Sequence, residues 1–250
     1  MVEVVRVPDL TSLVDAACAQ FVQVIAGVQA AGGLHDDGVA RVVLTGGGAG
    51  IKLLAALAEH HRVAELQADT FPVQRIDWSR VQVFFGDERA VDVSHPDSNE
   101  GQARAALLDH VCIPPNNIHS YQLGSLSLEE SAHHYQEEVE RFAPRGFDIH
   151  LLGMGGEGHI NSLFPHSAAV AETERLVVAV TDSPKPPAER VTLTMPAIHR
   201  ADRVWLLVSG AEKAEAAAHV VAGSAASDWP AAGATGRTST LLFLSDDAAK

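Results

Sequence analysis

The chain has 250 residues, of which 46% are hydrophobic and only 5% aromatic, and its formal net charge at pH 7 is −14. This length is sufficient for one large α/β domain or two small ones, with a sizeable core built mostly from Val, Leu, Ile and Ala. The acidic balance argues against nucleic acids and anionic membranes, which require a basic surface, but not against a small anionic metabolite, because salt screens charges over about 8 Å.

Short runs of β-branched and aliphatic residues alternate with alanine-rich helical stretches. The predicted strands are Val4–Val7, Val42–Thr45, Val81–Phe85, Ile149–Leu152, Leu176–Val180, Arg190–Thr194, Val204–Val208 and Thr240–Leu244. The predicted helices are Leu10–Ala31, Gly50–Ala58, Asn99–Asp109, Leu128–Phe142 and Glu212–Ala222. This alternation, with several strands apolar throughout, indicates a doubly wound α/β fold. We predict a single domain over residues 1–250, with a mostly parallel, Rossmann-like sheet and helices on both of its faces.

The first motif with chemical content is a glycine-rich loop, Thr45-Gly46-Gly47-Gly48-Ala49-Gly50, between a predicted strand and a predicted helix. Consecutive glycines let backbone N–H groups converge on an anion at the positive end of a helix. A Walker loop would continue with Gly-Lys-Ser/Thr, whereas Ile51-Lys52-Leu53 follow here, so the hydroxyl that binds Mg²⁺ is missing. We interpret Gly46, Gly47 and Gly48 as the binding site for the phosphate of a ligand other than a nucleotide. The alternative is a plain turn.

Three charged residues, Asp87, Glu88 and Arg89, follow the next strand. Ligands of open α/β sheets bind outside the carboxyl ends of the strands, where this triplet lies. Arg89 is suited to clamp a phosphate or carboxylate, and Asp87 is suited to acid–base work or to holding Arg89. The alternative is a solvated loop. Asn99, with Gln102 three residues later, has the pattern of a helix cap, and we predict a structural role for it.

The most informative segment begins where the hydrophobic run 147–152 ends. Glycines occupy positions 153, 155, 156 and 158, and His159 follows them. An imidazole on a loop beside a ligand crevice indicates acid–base chemistry. Two alternatives remain, an exposed histidine on a plain turn and a dinucleotide-binding fingerprint, Gly153-x-Gly155-x-x-Gly158. The fingerprint needs a long helix directly after its third glycine, and Pro165 would break that helix.

Two cations further along the chain are candidates for an anion site. Arg190 opens a predicted strand, directly after the proline-rich loop Thr181–Ala188, and Lys213 lies at the start of a predicted helix. Each residue alone is also typical of an ordinary surface cation. The composition of the Gly/Ala/Ser-rich stretch Ala222–Thr238 is typical of a flexible loop, but too little sequence follows it to form another domain.

The remaining patterns predict neither a metal site nor export. Adjacent histidine pairs at 60–61 and 133–134 lack the i, i+4 spacing of a helical metal site, and Cys18 and Cys112 lack Cys-x-x-Cys spacing. The N-terminus lacks the features of a signal peptide, and we expect that no apolar segment approaches the length of a membrane span. We predict a cytoplasmic protein with a small-molecule ligand and without metal, nucleic-acid or membrane partners. The sequence does not determine the oligomeric state, and we favour a monomer.

Several segments together resemble one protein family. They are 44–48, 86–91 with Ser98-Asn99, 153–165, 190–194 and 208–213. In this order they are similar to the motifs of 6-phosphogluconolactonases, within the larger glucosamine-6-phosphate isomerase/6-phosphogluconolactonase group. The resemblance implies hydrolysis of 6-phospho-D-glucono-1,5-lactone to 6-phosphogluconate, the second step of the oxidative pentose phosphate pathway. It implies no metal and no organic cofactor.

The resemblance also implies roles for individual residues. Activation of water is assigned to His159, and binding of the 6-phosphate to Gly46, Gly47, Gly48, Arg89, Arg190 and Lys213. The family usually has Asp two residues before the histidine, where this chain has Glu157, and commonly Ala two residues after it, where this chain has Asn161. Glu157 and Asp87 are both candidate partners for the imidazolium. Asn161 has no predicted role.

The sister deaminases of the group differ at two places. They look like Gly-His-x-x-Phe-Asn-Glu-Pro after the histidine loop and Asp-Glu-Tyr at the charged triplet. Here Ser162-Leu-Phe-Pro165 lacks the glutamate, and Arg89 replaces the tyrosine. Both differences favour the lactonase. A non-catalytic sugar-phosphate sensor and a nicotinamide oxidoreductase are the remaining alternatives.

Overall fold

The computed structural model describes residues 2–67 and 74–249 of the chain. The strands in this part are β1 (Glu3–Val7), β2 (Ala40–Leu44), β3 (Val81–Phe85), β4 (Asp87–Arg89), β5 (Ile149–Gly153), β6 (Val177–Val180), β7 (Arg190–Leu193), β8 (Arg203–Val208) and β9 (Ser239–Ser245). The helices are α1 (Leu10–Ala31), α2 (Gly47–Leu66), α3 (Asn99–Ala106), α4 (Leu128–Phe142), α5 (Met195–Ile198), α6 (Ala214–Ala222) and α7 (Pro230–Gly233). Every predicted strand coincides with an observed one, with ends that differ by two residues at most.

Six strands form a parallel sheet in the order β1-β9-β8-β5-β2-β3. The central strands are buried along their length, as in β8, where Val204 to Val208 are fully buried. Such continuous apolar runs are expected of strands covered on both faces. Helices surround this sheet, which confirms the predicted fold class. That residues 1–250 form a single domain stays a prediction.

A second, antiparallel sheet in the order β4-β7-β6 lies beside the parallel one. Its strand β4 is the charged triplet, in which Asp87 pairs with Thr192 and Arg89 with Arg190. Asp87 and Glu88 are only 9% and 4% exposed, so the alternative of a solvated loop is wrong. The two carboxylates are buried with hydrogen-bond partners from other segments: Asp87 accepts from Ser162 Oγ, and Glu88 accepts from backbone N–H groups at 99 and 100. No hydrophobic pattern reveals such contacts.

The bounds of α1 agree with the prediction because both of its ends carry strong signals. The Asp9 side chain accepts a hydrogen bond from Ser12 N at 2.8 Å, and Gly32 ends the helix at φ 100°. An 18-residue window of the segment Leu10–His35 has a mean hydropathy of 1.4, so by length and composition alone this segment could cross a membrane. The expectation that no segment approaches that length is therefore wrong. The helix packs against α2 and β9 with Phe21 fully buried, as a core helix does.

Other boundaries differ from the predictions. Helix α2 begins at Gly47 rather than Gly50 and continues to Leu66 rather than ending at Ala58, α3 ends at Ala106 rather than Asp109, and α6 begins at Ala214 after a 3₁₀ turn at 211–213. The stretch predicted as a flexible loop contains α7, in which Ala231 is fully buried, as is Ala234 directly after it. The buried residues of this stretch are Pro230 and two alanines, so part of it packs against the core.

The parallel sheet brings the predicted motifs to one edge. Four neighbouring parallel strands are β8, β5, β2 and β3. The segments that follow them therefore start side by side at the carboxyl ends of these strands. Two hydrogen bonds join these strand ends. Gly86 N donates to Leu44 O at 3.0 Å, and Gly153 N donates to Thr45 Oγ1 at 3.0 Å. The site lies at this edge, as expected for an open α/β sheet.

Candidate active site

A cavity of about 400 Å³ opens at the carboxyl ends of β2, β3, β5 and β8. The predicted site residues that line it are Gly46, Gly47, Gly48, Asp87, Arg89, His159, Arg190 and Lys213. Glu157 does not line it but contacts His159. Three further lining residues, Asn99, Asn161 and Lys185, were not predicted to bind a ligand.

The glycine loop is the N-terminus of α2 rather than a separate turn before it. Gly46 is the N-cap residue without a side-chain cap, and Gly47 adopts φ 79°, a conformation that glycine accepts without strain. The first N–H groups of a helix have no intrahelical partners and lie at the positive end of its dipole. Because these glycines line the cavity, the end of α2 offers it a set of backbone donors suited to an anion.

His159 is held by a carboxylate on one side and an aromatic ring on the other. Its Nδ1 lies 3.2 Å from Glu157 Oε1, and its ring stacks on Phe164 at 4.5 Å with an interplanar angle of 21°. In the tautomer with its proton on Nδ1, the neutral imidazole donates to this carboxylate, which can only accept a hydrogen bond. Nε2 is then the nitrogen with a lone pair available to take a proton.

Lys185 completes this group, although no sequence pattern predicted it as a site residue. Its Nζ lies 2.8 Å from Glu157 Oε1 and 3.4 Å from His159 Nδ1. It belongs to the proline-rich loop Thr181–Ala188, which was predicted only as a connection between strands. The available signal was a lysine among prolines, a few residues before the predicted phosphate-binding Arg190.

The charges around His159 favour its neutral form. Burial and the nearby Lys185 ammonium lower the pKa of His159, and the Glu157 carboxylate only partly opposes them. Partial burial of Glu157 disfavours its ionisation, but hydrogen bonds from Lys185 and the backbone outweigh burial and bring its pKa to about 2. At neutral pH the site therefore contains an ionised Glu157 and a neutral imidazole, which is able to act as a base.

The Asp87 carboxylate forms hydrogen bonds with other residues and none with the His159 imidazole. Its carboxylate accepts hydrogen bonds from Ser162 Oγ at 2.6 Å and from Asn99 Nδ2 at 3.0 Å, and lies 3.8 Å from Arg190 Nη1. Of the two candidate partners for the imidazole, Glu157 is thus the one in direct contact. Asp87 also does not hold Arg89 directly, because Asn99 lies between them: its Oδ1 accepts from Arg89 Nη1 at 3.1 Å.

Asn99 is not the cap of α3. The cap is Ser98, whose side chain accepts from Gly101 N at 3.0 Å, and Asn99 is the first helical residue. The predicted cap was one residue too late because serine and asparagine are both favoured at that position. Asn99 instead bonds Asp87 and Arg89 at the wall of the cavity.

The two cations near the end of the chain differ in their surroundings. The Arg190 side chain is 5% exposed and donates from Nε to Pro187 O at 3.0 Å and from Nη2 to Lys185 O at 2.9 Å. Arg190 thereby fixes the loop that carries Lys185. Lys213 lines the cavity and forms no ion pair within residues 2–67 and 74–249. Its ammonium group is therefore available to an anionic ligand in the cavity.

The nicotinamide oxidoreductase alternative loses its structural basis. Residues 159–176 contain turns and no helix, so the dinucleotide fingerprint lacks its required helix. His150 is fully buried in β5 with neither ring nitrogen bonded, and burial lowers its pKa to about 3. In the described part of the chain, no three His, Cys, Asp or Glu side chains are grouped so as to hold a metal ion.

The profile of the family described as "Glucosamine-6-phosphate isomerases/6-phosphogluconolactonase" matches residues 8–243. The chain belongs to this family. Among similar members, 6-phosphogluconolactonase of Mycobacterium tuberculosis is 47% identical, over 97% of this chain and 95% of the relative. The enzyme of the same name from Streptomyces coelicolor is 40% identical, over 96% and 91%.

Solved structures of the glucosamine-6-phosphate isomerase/6-phosphogluconolactonase family have the same fold. The crystal structure of 6-phosphogluconolactonase from Thermotoga maritima superimposes with a TM-score of 0.82 and 26% identity, covering 98% of this chain and all of that one. A monomeric glucosamine-6-phosphate deaminase superimposes with a TM-score of 0.80 at 20% identity, which shows a common fold only. The family relationship therefore leaves the choice between lactonase and deaminase to the residues of the site and the named relatives.

Proposed function

We propose that this chain hydrolyses 6-phospho-D-glucono-1,5-lactone to 6-phospho-D-gluconate, the second step of the oxidative pentose phosphate pathway, without a metal or organic cofactor. The observation that carries the proposal is a neutral His159, oriented by Glu157, at a cavity lined by the N-terminus of α2 and several cations. Such a cavity suits an anionic sugar with an electrophilic carbon. The high identity to relatives named 6-phosphogluconolactonase supports the same conclusion.

In the proposed mechanism, Nε2 of His159 removes a proton from water as the water attacks C1 of the lactone. The imidazolium is stabilised by the Glu157 carboxylate, 3.2 Å from Nδ1, and returns the proton to the ring oxygen as the tetrahedral intermediate collapses. Glu157 is one methylene longer than the Asp usual in the family, yet it reaches the imidazole. A δ-lactone is already electrophilic, so a well-placed general base supplies much of the required acceleration.

The phosphate takes no part in the chemistry and anchors the sugar. Backbone N–H groups at the start of α2, together with Arg89, Arg190 and Lys213, form the proposed phosphate site. Binding energy from this remote group is used to hold C1 against His159, so it contributes to kcat/KM through positioning. The predicted cytoplasmic location and monomeric state are part of this proposal and stay predictions.

The decisive experiment is a stopped-flow assay with freshly generated 6-phosphogluconolactone, compared with the unphosphorylated lactone. We expect enzymatic hydrolysis well above the spontaneous rate and a large preference for the phosphorylated substrate. Ammonia release from glucosamine 6-phosphate, with no lactone hydrolysis, would instead identify a deaminase. Equal rates on the two lactones would remove the phosphate site from the proposal.

Replacing Lys213 by alanine is expected to raise KM for the phosphorylated lactone by about 10- to 100-fold, with a smaller change in kcat, because one charge-assisted hydrogen bond to the phosphate is lost. The matched control is Lys52→Ala, which removes an exposed lysine of α2 that does not line the cavity. Steady-state kinetics of both variants provide the comparison. An unchanged KM in Lys213→Ala would exclude this lysine from the phosphate site.

The charges beside His159 predict opposite shifts of the pH profile. The wild-type kcat/KM should fall on the acid side around a pKa below 6.5, because burial and Lys185 lower the pKa of His159. Lys185→Met removes a positive charge, raises that pKa and moves the acid limb to higher pH. Glu157→Gln removes a negative charge, lowers the pKa of His159 and moves the acid limb to lower pH. Measured profiles that shift in the same direction would contradict the assigned contacts.

A further inference from the structure

Asn161 is the lining residue whose polar atoms have no assigned function. Its side chain lies in the wall of the cavity, two residues after His159, and the residue is 9% exposed. Within the described residues, neither Oδ1 nor Nδ2 has a hydrogen-bond partner. Buried amides are nearly always hydrogen-bonded, because an unpaired one loses its contacts with water without compensation. The free protein therefore holds this amide in an unfavourable state that a ligand can relieve.

The observed position of the Asn161 side-chain amide depends on the absence of a side chain at Gly86. A Cβ atom at position 86 would lie 2.2 Å from Asn161 Oδ1, so only glycine leaves room for the amide at the end of β3. Both polar atoms are covered there, and no hydrogen bond ties them to that position. A turn about the side-chain torsions towards the cavity therefore breaks no hydrogen bond. The neighbouring Ser162 is fixed by its bond to Asp87, so the backbone around the amide stays in place.

The chemistry of the amide selects the part of the ligand that it contacts. A carboxamide both donates and accepts, whereas a phosphate only accepts and would leave Oδ1 unpaired. Hydroxyl groups also donate and accept, so two neighbouring hydroxyls satisfy Nδ2 and Oδ1 together. In the proposed function, the cations and the N-terminus of α2 bind the phosphate in another part of the cavity. The amide thus matches the hydroxylated carbons of the sugar ring.

We propose that Asn161 is a specificity-determining residue, whose amide turns into the cavity and hydrogen-bonds ring hydroxyls of the sugar-phosphate lactone. This inference depends on the proposed function, because it names what the same site recognises in its substrate. Nδ2 donates to one hydroxyl and Oδ1 accepts from a neighbouring one. The residue takes no part in proton transfer, and its contribution is to binding and to discrimination between sugars.

The backbone provides a competing explanation that the experiment must separate. Asn161 adopts φ 49°, in the left-handed region where asparagine is one of the better tolerated residues. Asn161→Gly removes the amide but accepts this conformation, whereas Asn161→Ala removes the amide and strains the backbone. Gln122→Gly is the matched control, since Gln122 is another amide residue at positive φ (54°), exposed and outside this cavity.

The test compares kcat/KM for 6-phosphogluconolactone with kcat/KM for its 2-deoxy, 3-deoxy and 4-deoxy analogues. Wild type and Gln122→Gly should prefer the complete sugar over at least one analogue by about tenfold or more. Asn161→Gly should lose about 10- to 100-fold on the complete sugar, and its preference over that analogue should approach one. Wild-type kcat/KM in Asn161→Gly, or a loss of equal size on every lactone, would overturn the inference.

Failure of the proposed function can be recognised separately. A wild-type protein that hydrolyses none of the phosphorylated lactones contradicts the proposed function, and calorimetric titration with 6-phosphogluconate, which carries the same hydroxyls, then tests Asn161 without turnover. Weaker binding to Asn161→Gly than to Gln122→Gly would support the contact. Equal affinities would overturn it. Thermal unfolding of each variant checks that the fold is retained.

Discussion

Replacement of His159 by alanine is expected to lower kcat for the phosphorylated lactone by about 10²–10⁴-fold, the usual contribution of a positioned general base. KM should change much less, because the proposed phosphate contacts come from α2 and from cations on other elements. The fold should persist, since the imidazole stacks on Phe164 at the cavity wall rather than filling the central core. Rapid-mixing kinetics, corrected for spontaneous hydrolysis, give the size of the effect.

His133→Ala is the control for this substitution. The His133 side chain is 78% exposed on α4, so its removal should leave both kcat and KM unchanged. His159→Asn provides a second comparison, because it keeps a polar side chain but cannot accept and return a proton at neutral pH. Turnover near the wild-type rate in either His159 variant would refute a role for this residue as the base.

Replacement of Glu88 by alanine is expected to lower the free energy of unfolding by about 3 kcal/mol. Its buried carboxylate accepts hydrogen bonds from the backbone N–H groups of Asn99 and Glu100, both at 2.8 Å, and from Ser98 Oγ at 2.9 Å. The two N–H groups belong to the first turn of α3, where no intrahelical acceptor exists. Without the carboxylate these donors are buried and unpaired.

Thermal and urea unfolding measure this effect, with an expected decrease in Tm of roughly 6–12 °C for a chain of this size. Glu137→Ala, at a side chain that is 65% exposed, should change the free energy of unfolding by no more than about 0.5 kcal/mol. Catalytic efficiency should also fall in Glu88→Ala, because Asn99 at the start of α3 contacts Asp87 and Arg89. Equal stability of the two variants would contradict the bonding described for Glu88.

Elements with strong local signals were predicted with accurate ends. Helix α4 matches its predicted bounds because Ser127 and Glu130 form a capping box, in which each side chain bonds the backbone of the other residue. The start of helix α2 was predicted three residues too late because glycines at 47, 48 and 50 disfavour a helix locally. Packing of Leu53, Leu54 and Leu57 into the core overrides that preference.

The site was predicted in part, because only those of its residues that lie in a recognisable local motif could be identified from the sequence. Glycine-rich turns after strands are visible in the sequence, so His159 and the α2 N-terminus were identified from their own segments. Lys185 and Asn99 were missed as parts of the site because a lysine among prolines and an asparagine at a helix start are weak local signals. Their contacts are with residues distant in sequence, such as Glu157 and Asp87.

The amino-acid sequence alone determined the order of eight of the nine described strands and five of the seven described helices, the family resemblance and the candidate imidazole. Each of these depends on local periodicity or on a contiguous motif. The tertiary structure decided which carboxylate contacts His159, the division of the strands into two sheets and the unpaired amide of Asn161. These features depend on distances between segments many residues apart. Such distances are set by packing of the whole chain and leave no periodic trace in any one segment.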